Sequence, residues 1–289
     1  MITAAAHDAN TDAQKCRLSI VIIAKNEALT LSRCLASVEF ADELIVVENG
    51  SEDETVAVAI KHGATVVSTN DWPGFGVQKN RGLALANGQW VLSLDADEVV
   101  TTELRTEIQS VINPGDFSIA STVSDPHKEF YEISRITQFR GHWIQHCGWT
   151  PDHVLRLFKR GSARFTDDLV HEKVVPNYSG ASVGRLKSPL LHFSYAQADQ
   201  FWLKTQRYSE DWAKQRFALG QVTTVPRAFL AAVAAFIRSY ILRRGFLDGS
   251  MGFAVCWMQS QGAFGKYFEL YCLNLRNQIN TRGIEDEKT

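Results

Sequence analysis

The sequence predicts an α/β chain with a mostly parallel sheet in its first half and a helical C-terminal section. Three observations predict it. Four short apolar runs rich in β-branched residues alternate with helix-period segments between Leu18 and Glu98. The polar clusters fall at the ends of those runs, where ligands of parallel sheets sit. From Pro226 to Leu273 the chain is apolar, arginine-flanked and punctuated by glycines.

The elements follow in order. Leu18 to Ile23 reads as a strand buried on both faces, and Leu31, Cys34, Leu35 and Val38 then recur at helical spacing. Leu44 to Val47 is a second strand. Ser51-Glu52-Asp53-Glu54 fits a capping box for a helix that buries Val56 and Ile60 and stops at Gly63. Thr65 to Val67 is a third strand, followed by a loop at Asn70 to Gly76 and a helix from about Val77 to Asn87. Trp90 to Leu94 is the fourth strand, ending on Asp95-Ala96-Asp97-Glu98. Strands separated by helices of this length require crossovers and a parallel sheet. Beyond Asn113, Phe130 to Arg140 and His153 to Phe158 read as strands of mixed burial around a Trp- and His-rich loop, Gly141 to Pro151. Ala198 to Gly220 reads as an aromatic helix. The expected organisation is a flexible 1–16, a ligand-binding half 17–112, a second half 113–197, a helical section 198–279 and a flexible 280–289.

Composition narrows the classes. With 45% hydrophobic residues, 19 Gly and 7 Pro in 289 residues, the chain is neither disordered nor collagenous. Lys+Arg 30 against Asp+Glu 32 gives a net charge of −2, so there is no global basic field for nucleic acid, although a local one appears near the C-terminus. Five scattered cysteines without a CxxC pair fit a reducing compartment. Residues 1–15 lack the apolar core of a signal peptide, and no apolar run approaches the ~20 residues of a bilayer span. A cytoplasmic location is expected.

Several clusters can carry chemistry. Asp95 and Asp97, two residues apart past a buried strand, can offer oxygens to a hard divalent cation that also binds a diphosphate. Asp97 can instead cap the next helix; the position after an apolar strand favours the cation. Glu48, ending the second strand, sits where acids of dinucleotide folds receive ribose hydroxyls. A dinucleotide fold itself is excluded at the first turn, where Ala24-Lys25-Asn26-Glu27 stands in place of a glycine-rich fingerprint. Gln78-Lys79-Asn80-Arg81, early in a helix, can hold phosphate oxygens or form a solvated face. His142, His146, Cys147 and His153 match no familiar zinc spacing, and the interleaved Trp143 and Trp149 suit a sugar-stacking wall.

These residues carry a resemblance. Ile20 to Glu27, Glu48 to Thr55, Gln78-Lys79-Asn80 and Ser93 to Glu98 resemble family 2 glycosyltransferases in identity, order and spacing. Gly148 to Asp152, Arg156-Leu157-Phe158, Val170-His171-Glu172 and Gly245 to Gly249 resemble the lipopolysaccharide core β-glucosyltransferase subgroup. The resemblance covers about Leu18 to Tyr271 and implies the GT-A nucleotide-sugar-binding fold, Rossmann-like and mostly parallel.

It also implies sugar transfer with inversion from a nucleotide-sugar donor held through a divalent cation, Mg2+ or Mn2+. By position, Asn26, Glu27, Glu48, Gln78, Lys79, Asn80 and Asp95 would bind the donor, and Asp97 with Asp95 the metal. The family usually has Asp where this chain has Glu48. Inversion needs a carboxylate base. Glu172 is the first choice and Asp152 the second, with Asp167 and Asp168 competing; His171 or His192 would complete the metal shell. The expected reaction moves a hexose, glucose from UDP-glucose first, onto an inner-core heptose of lipopolysaccharide. A polyprenyl-linked or capsule precursor, or an inactive nucleotide-sugar scaffold, is the alternative.

The segment Pro226 to Arg244 completes the reading. Phe229, Val233, Phe236 and Tyr240 share one helix face, widened by Leu230, Ile237 and Ile241. Arg227 and Arg238 lie opposite, and Arg243 and Arg244 close the end. That pattern fits a core helix or, preferably, a helix lying in an anionic bilayer surface. The expected protein is peripheral on the inner face of the cytoplasmic membrane.

Overall fold

The computed structural model describes residues 16–114, 128–167, 172–195 and 198–286. The chain runs β1 (Leu18–Ala24), α1 (Ala28–Ala36), β2 (Glu43–Glu48), α2 (Thr55–Lys61), β3 (Thr65–Ser68), α3 (Phe75–Leu85), β4 (Trp90–Asp95), β5 (Glu98–Val100) and α4 (Thr102–Ile112). Then come β6 (Phe130–Phe139), β7 (His142–Ile144), β8 (Asp152–Lys159), β9 (Ala163–Phe165), β10 (Val174–Pro176), β11 (Val183–Arg185) and β12 (Leu190–Tyr195). Helices α5 (Ala198–Ala218), α6 (Val225–Phe236) and α7 (Gly249–Asp286) end it, with a π-helical segment at Ile237–Leu242 and a 3-10 turn at Gly245–Asp248 between the last two. It forms two compact units: Met1–Ile133 with His153–Leu190, and Ser134–Asp152 with Leu191–Thr289. The boundaries read from sequence at 112/113 and 197/198 are not the boundaries between these units.

In the first unit the sheet runs β3-β2-β1-β4-β8 and on to the start of β6. β1, β2, β3 and β4 are parallel. β8 is antiparallel to β4, with Leu92 opposite Leu157. Register aligns the functional ends: Ala24 of β1 faces Glu48 of β2, and Ile23 faces Asp95 of β4. One core, including Ile20, Ile22, Leu31, Leu35, Leu92 and Leu104, lies on one face of the sheet; a second, with Val21, Ile45, Val47 and Phe158, lies on the other. Burial on both faces is what the unbroken apolar runs predict.

Two local expectations need correction. The capping box does not form: α2 begins at Thr55, and Asp53 accepts the Thr55 amide while the Ser51 hydroxyl accepts the Asn26 amide at 3.2 Å. The shifted start turns Thr55 and Ala59 inward and leaves Ile60 62% exposed. The Gly141 to Pro151 stretch is also not all loop, since β7 pairs back on β6 with Thr137 opposite Ile144.

The second unit is mainly helical, with α7 packed against α5 and α6. Its core joins Phe139, Ile144, Cys147, Phe201, Val255 and Cys256. Of the glycines read as punctuation, Gly252, Gly262 and Gly265 sit inside α7 and let other chain atoms approach, Gly252 admitting the Gly245 carbonyl, which would lie 2.0 Å from a Cβ there. A Cβ on Gly262 would lie 2.8 Å from Thr205 of α5. α7 continues to Asp286, past the boundary placed at residue 280. Residues 225–242 form one helical run of 18 residues with mean hydropathy 1.5, of which 11% is buried. That run is long and apolar enough to cross a membrane by length and composition, contrary to the sequence expectation that none is.

Candidate active site

The site grows from the carboxyl ends of β1, β2 and β4, all in the first unit. After β1 the chain turns at Asn26, whose φ of 55° is left-handed. The turn is held by the Asn26 side chain, which accepts the Glu52 amide at 2.8 Å. The Glu27 carboxylate accepts the Thr30 hydroxyl at 2.5 Å. At the end of β2, Glu48 is buried and its Oε2 accepts the Ser51 amide at 2.9 Å. Burial raises the Glu48 pKa, but hydrogen bonds from Ser68, Ser51 and Gly50 outweigh it and hold the group below the usual carboxylate range. Glu48 thus clamps its own turn.

Helix α3 brings the cation. Gly82 lets it lie close on the sheet, since a Cβ there would meet Val21 at 2.4 Å. Gly76, one turn before Lys79, would place a Cβ 1.8 Å from the Thr166 carbonyl. Between these two contacts Lys79 is buried, its Nζ 2.8 Å from Asp95 Oδ1 and 2.8 Å from Glu172 Oε1. Its neighbours hold loops. Gln78 donates to the Thr69 hydroxyl at 2.6 Å, and Asn80 clasps the Phe165 backbone by donating to its carbonyl and accepting its amide. Arg81 forms a fork with Asp71, both contacts at 2.7 Å.

A second cation answers from β8. Arg156 Nη2 lies 2.5 Å from Asp95 Oδ2 and 2.6 Å from Glu98 Oε1. Glu98, fully buried, also accepts the Asp95 amide at 2.9 Å. Burial pulls the Arg156 guanidinium pKa down, yet Asp95 and Glu98 more than compensate and hold it above its ordinary value. The structure therefore joins Lys79, Asp95, Arg156, Glu98 and Glu172 in one network. Asp97 stands half-exposed beside it, two residues from Asp95.

Other sequence candidates lie elsewhere. Asp152 belongs to the second unit, where Arg135 grips its Oδ2 through Nε at 2.9 Å and Nη2 at 2.5 Å. His192, also there, contacts the Thr137 hydroxyl at 3.2 Å and the Ser194 hydroxyl at 2.9 Å. Asp168 and His171 lie outside the described residues. Among the described residues, no group of three or more His, Cys, Asp and Glu is arranged to hold a metal. In the second unit Asp248 fixes the Trp- and His-rich loop by accepting the His146 amide and engaging its Nδ1, both at 2.8 Å. Trp143 packs edge-on against Phe193, centroids 5.3 Å apart. Arg156 and Glu98 had no role in the sequence reading, although both stand within quoted motifs; a buried basic residue amid an apolar strand was the available signal.

Comparison with known proteins places this geometry. The Glycosyl transferase family 2 model matches residues 19–190. An uncharacterised glycosyltransferase of Rickettsia prowazekii is 28% identical over 269 residues, covering 91% of this chain and 89% of its own. The lipopolysaccharide core biosynthesis glycosyltransferase LpsC of Rhizobium meliloti is 27% identical over 280 residues, covering 92% and 97%. Among solved structures, S. aureus TarS 1-349 in complex with UDP-GlcNAc is similar at a TM-score of 0.45 and 13% identity, covering 86% of this chain and 80% of that one.

Proposed function

The chain belongs to glycosyl transferase family 2, and from that premise we propose that it moves a hexose from a UDP-sugar onto a lipopolysaccharide core acceptor with inversion. The observation that carries the reading is the Lys79–Asp95–Arg156–Glu98–Glu172 network at the carboxyl ends of the parallel strands. The core acceptor is supported by the likeness to LpsC over nearly the whole chain. Glucose and an inner-core heptose are our specific assignment.

Electrostatics favours a divalent cation. Asp95, Asp97, Glu98 and Glu172 set four carboxylates against Lys79 and Arg156, a local excess of negative charge that opposes a bare diphosphate. Asp95 and Asp97 offer hard oxygens at a half-exposed strand end. Mg2+ and its kin commonly bind through one or two carboxylates with phosphates and water completing the shell, so the donor set fits. When bound, such an ion would stabilise charge on the departing diphosphate.

The protein's own groups do the rest. Lys79 and Arg156 fix both Asp95 oxygens from opposite sides, so that carboxylate is held before any ligand arrives. Glu27, Glu48 and Asn26 shape the turns that would face the nucleoside, and Gln78 and Asn80 brace α3 against the neighbouring loops. Glu172 Oε1 is oriented by Lys79, and Glu172 is the carboxylate that would take the acceptor hydroxyl proton.

The test is calorimetric titration of UDP with and without manganese, beside donor hydrolysis over a panel of UDP- and ADP-sugars. Asp97→Asn should lose the manganese-dependent part of UDP affinity while its melting temperature stays put. Unchanged metal-dependent binding would refute the metal assignment. Hydrolysis of an ADP-sugar alone would refute the donor.

The outer face of α6 supports a location at a membrane surface. Phe229 and Leu230 are 65% and 64% exposed, with Val233, Ile237 and Ile241 beside them, while Phe236 and Tyr240 turn toward Phe253 and Trp257. The outward face is apolar, and Arg227, Arg238 and Arg244 are exposed along and beyond it. This supports a peripheral helix on an anionic cytoplasmic membrane surface.

A further inference from the structure

The second unit contains a cavity of about 490 Å3 between α5, α7 and the loop that leads into α6. Its wall is aromatic: the Trp212 and Tyr267 rings lie 5.0 Å apart at 58°. Its charge is purely positive. Arg216 and Arg227 both line it, and Arg216 rests over the Trp212 ring at 5.3 Å. Neither guanidinium has a carboxylate partner among the described residues, in contrast to Arg81, Arg135, Arg156 and Arg185.

Two further features point into the same space. Thr223 lines the cavity, and its hydroxyl is buried without a hydrogen-bond partner. Such a group costs free energy unless a ligand or water satisfies it. The cavity also lies at the N-terminus of α6, whose first turn holds no acidic residue, so the helix end adds positive potential. The shape is preformed: Asn274 of α7 donates to the Gln221 carbonyl and accepts the Thr223 amide, both at 3.1 Å.

Two forked guanidiniums, an orphan hydroxyl and a helix N-terminus match the oxygens of a phosphate better than a single carboxylate. The surroundings say what carries the phosphate. Leu219 and Val222 are 71% and 79% exposed beside the loop, and the apolar outer face of α6 starts at Val225. A water-borne phosphate ester gains nothing from that apolar border; a lipid does. We propose that this cavity is a phosphate-ester site that seats the head-group phosphate of an anionic membrane lipid between Arg216 and Arg227. The site sets where the protein meets the bilayer, and it stands independently of sugar transfer.

The test uses the full chain, with short-chain dihexanoyl phosphatidic acid below its micelle concentration as the probe. Calorimetry should give saturable one-to-one binding. Arg216→Gln with Arg227→Gln should weaken it by about tenfold or more, while Arg238→Gln with Arg244→Gln, an equal charge loss away from the cavity, leaves it within about twofold. The same probe should release wild type from phosphatidic acid vesicles. Absence of saturable binding, or equal loss in both double variants, would overturn the site. Competition by inorganic phosphate as strong as by the lipid would overturn the lipid assignment. If the first double variant melts early, Arg227→Glu, at an exposed position, carries the same test. Donor hydrolysis by these variants should match wild type and reads the transferase assignment separately.

Discussion

Replacing Arg156 by Met isolates what the buried network contributes. Met approximates the apolar part of the side chain but removes both charged contacts, to Asp95 at 2.5 Å and Glu98 at 2.6 Å. Asp95 keeps Lys79 at 2.8 Å. Glu98 has no exposure to water, so it is left charged and buried. Breaking a buried pair in this way costs about 3–5 kcal/mol. At roughly 2–4 °C per kcal/mol for a domain of this size, the melting temperature should fall by about 6–20 °C. Glu98→Gln in the Arg156→Met background removes the stranded charge while keeping an acceptor for the Asp95 amide. The double variant should therefore recover most of the loss, a coupling of a few kcal/mol measured by a double-mutant cycle. Scanning calorimetry of the four proteins is the assay. Additive losses, or an Arg156→Met melt within about 1 °C of wild type, would refute the argument that the pair is desolvated and coupled.

The other expectations are more compact. Glu172→Gln keeps size and a contact for Lys79 but cannot accept a proton, so turnover should fall by roughly 10²-fold with UDP affinity unchanged; near-normal turnover would move the base to Asp152, tested by Asp152→Asn. Glu48 is held below its ordinary pKa, so its share of stability is present above the unfolded carboxylate pKa and is lost as pH falls through the lower folded value. Glu48→Gln should therefore flatten the acid side of the stability profile, which urea titrations across pH would show. Phe229→Ser with Leu230→Ser should weaken sedimentation with anionic vesicles and leave the melt nearly unchanged, because both side chains already face outward; early unfolding would return α6 to the core.

The sheet was legible because its strands are buried on both faces, which forces unbroken runs such as Leu18 to Ile23 and Trp90 to Leu94. α1 was legible for the complementary reason: Leu31, Cys34 and Leu35 form one buried stripe. The start of α2 was not. Ser51 and Glu54 satisfy the capping pattern, but Ser51 is taken by a neighbouring turn 25 residues away, a tertiary contact that local spacing cannot reveal. α7 was hidden by its glycines, which signal breaks in sequence yet mark close approach in space. In the site, Asp95, Glu172 and Lys79 were all named from sequence, but as separate roles. Their mutual ion pairs depend on α3 lying close to the sheet at Gly82.

Arg156 shows why the centre of the network was the hardest part to read. It lies 61 residues beyond Asp95, on β8, which pairs antiparallel to β4. The register sets Leu157 opposite Leu92, and Arg156 is the next residue along β8 toward the Asp95 end of β4. Side chains alternate along a strand, so Ser93 and Asp95 share a face, and Arg156 on that same face reaches forward to the carboxylate. A parallel β8 would have run the other way past that strand end. The antiparallel insertion places the Arg156 cation against Asp95 and Glu98 at the acidic strand end. With Lys79 on its other oxygen, the half-buried Asp95 carboxylate is held at both Oδ1 and Oδ2. The cation that holds the acidic strand end is thus supplied from the strand that breaks the parallel pattern.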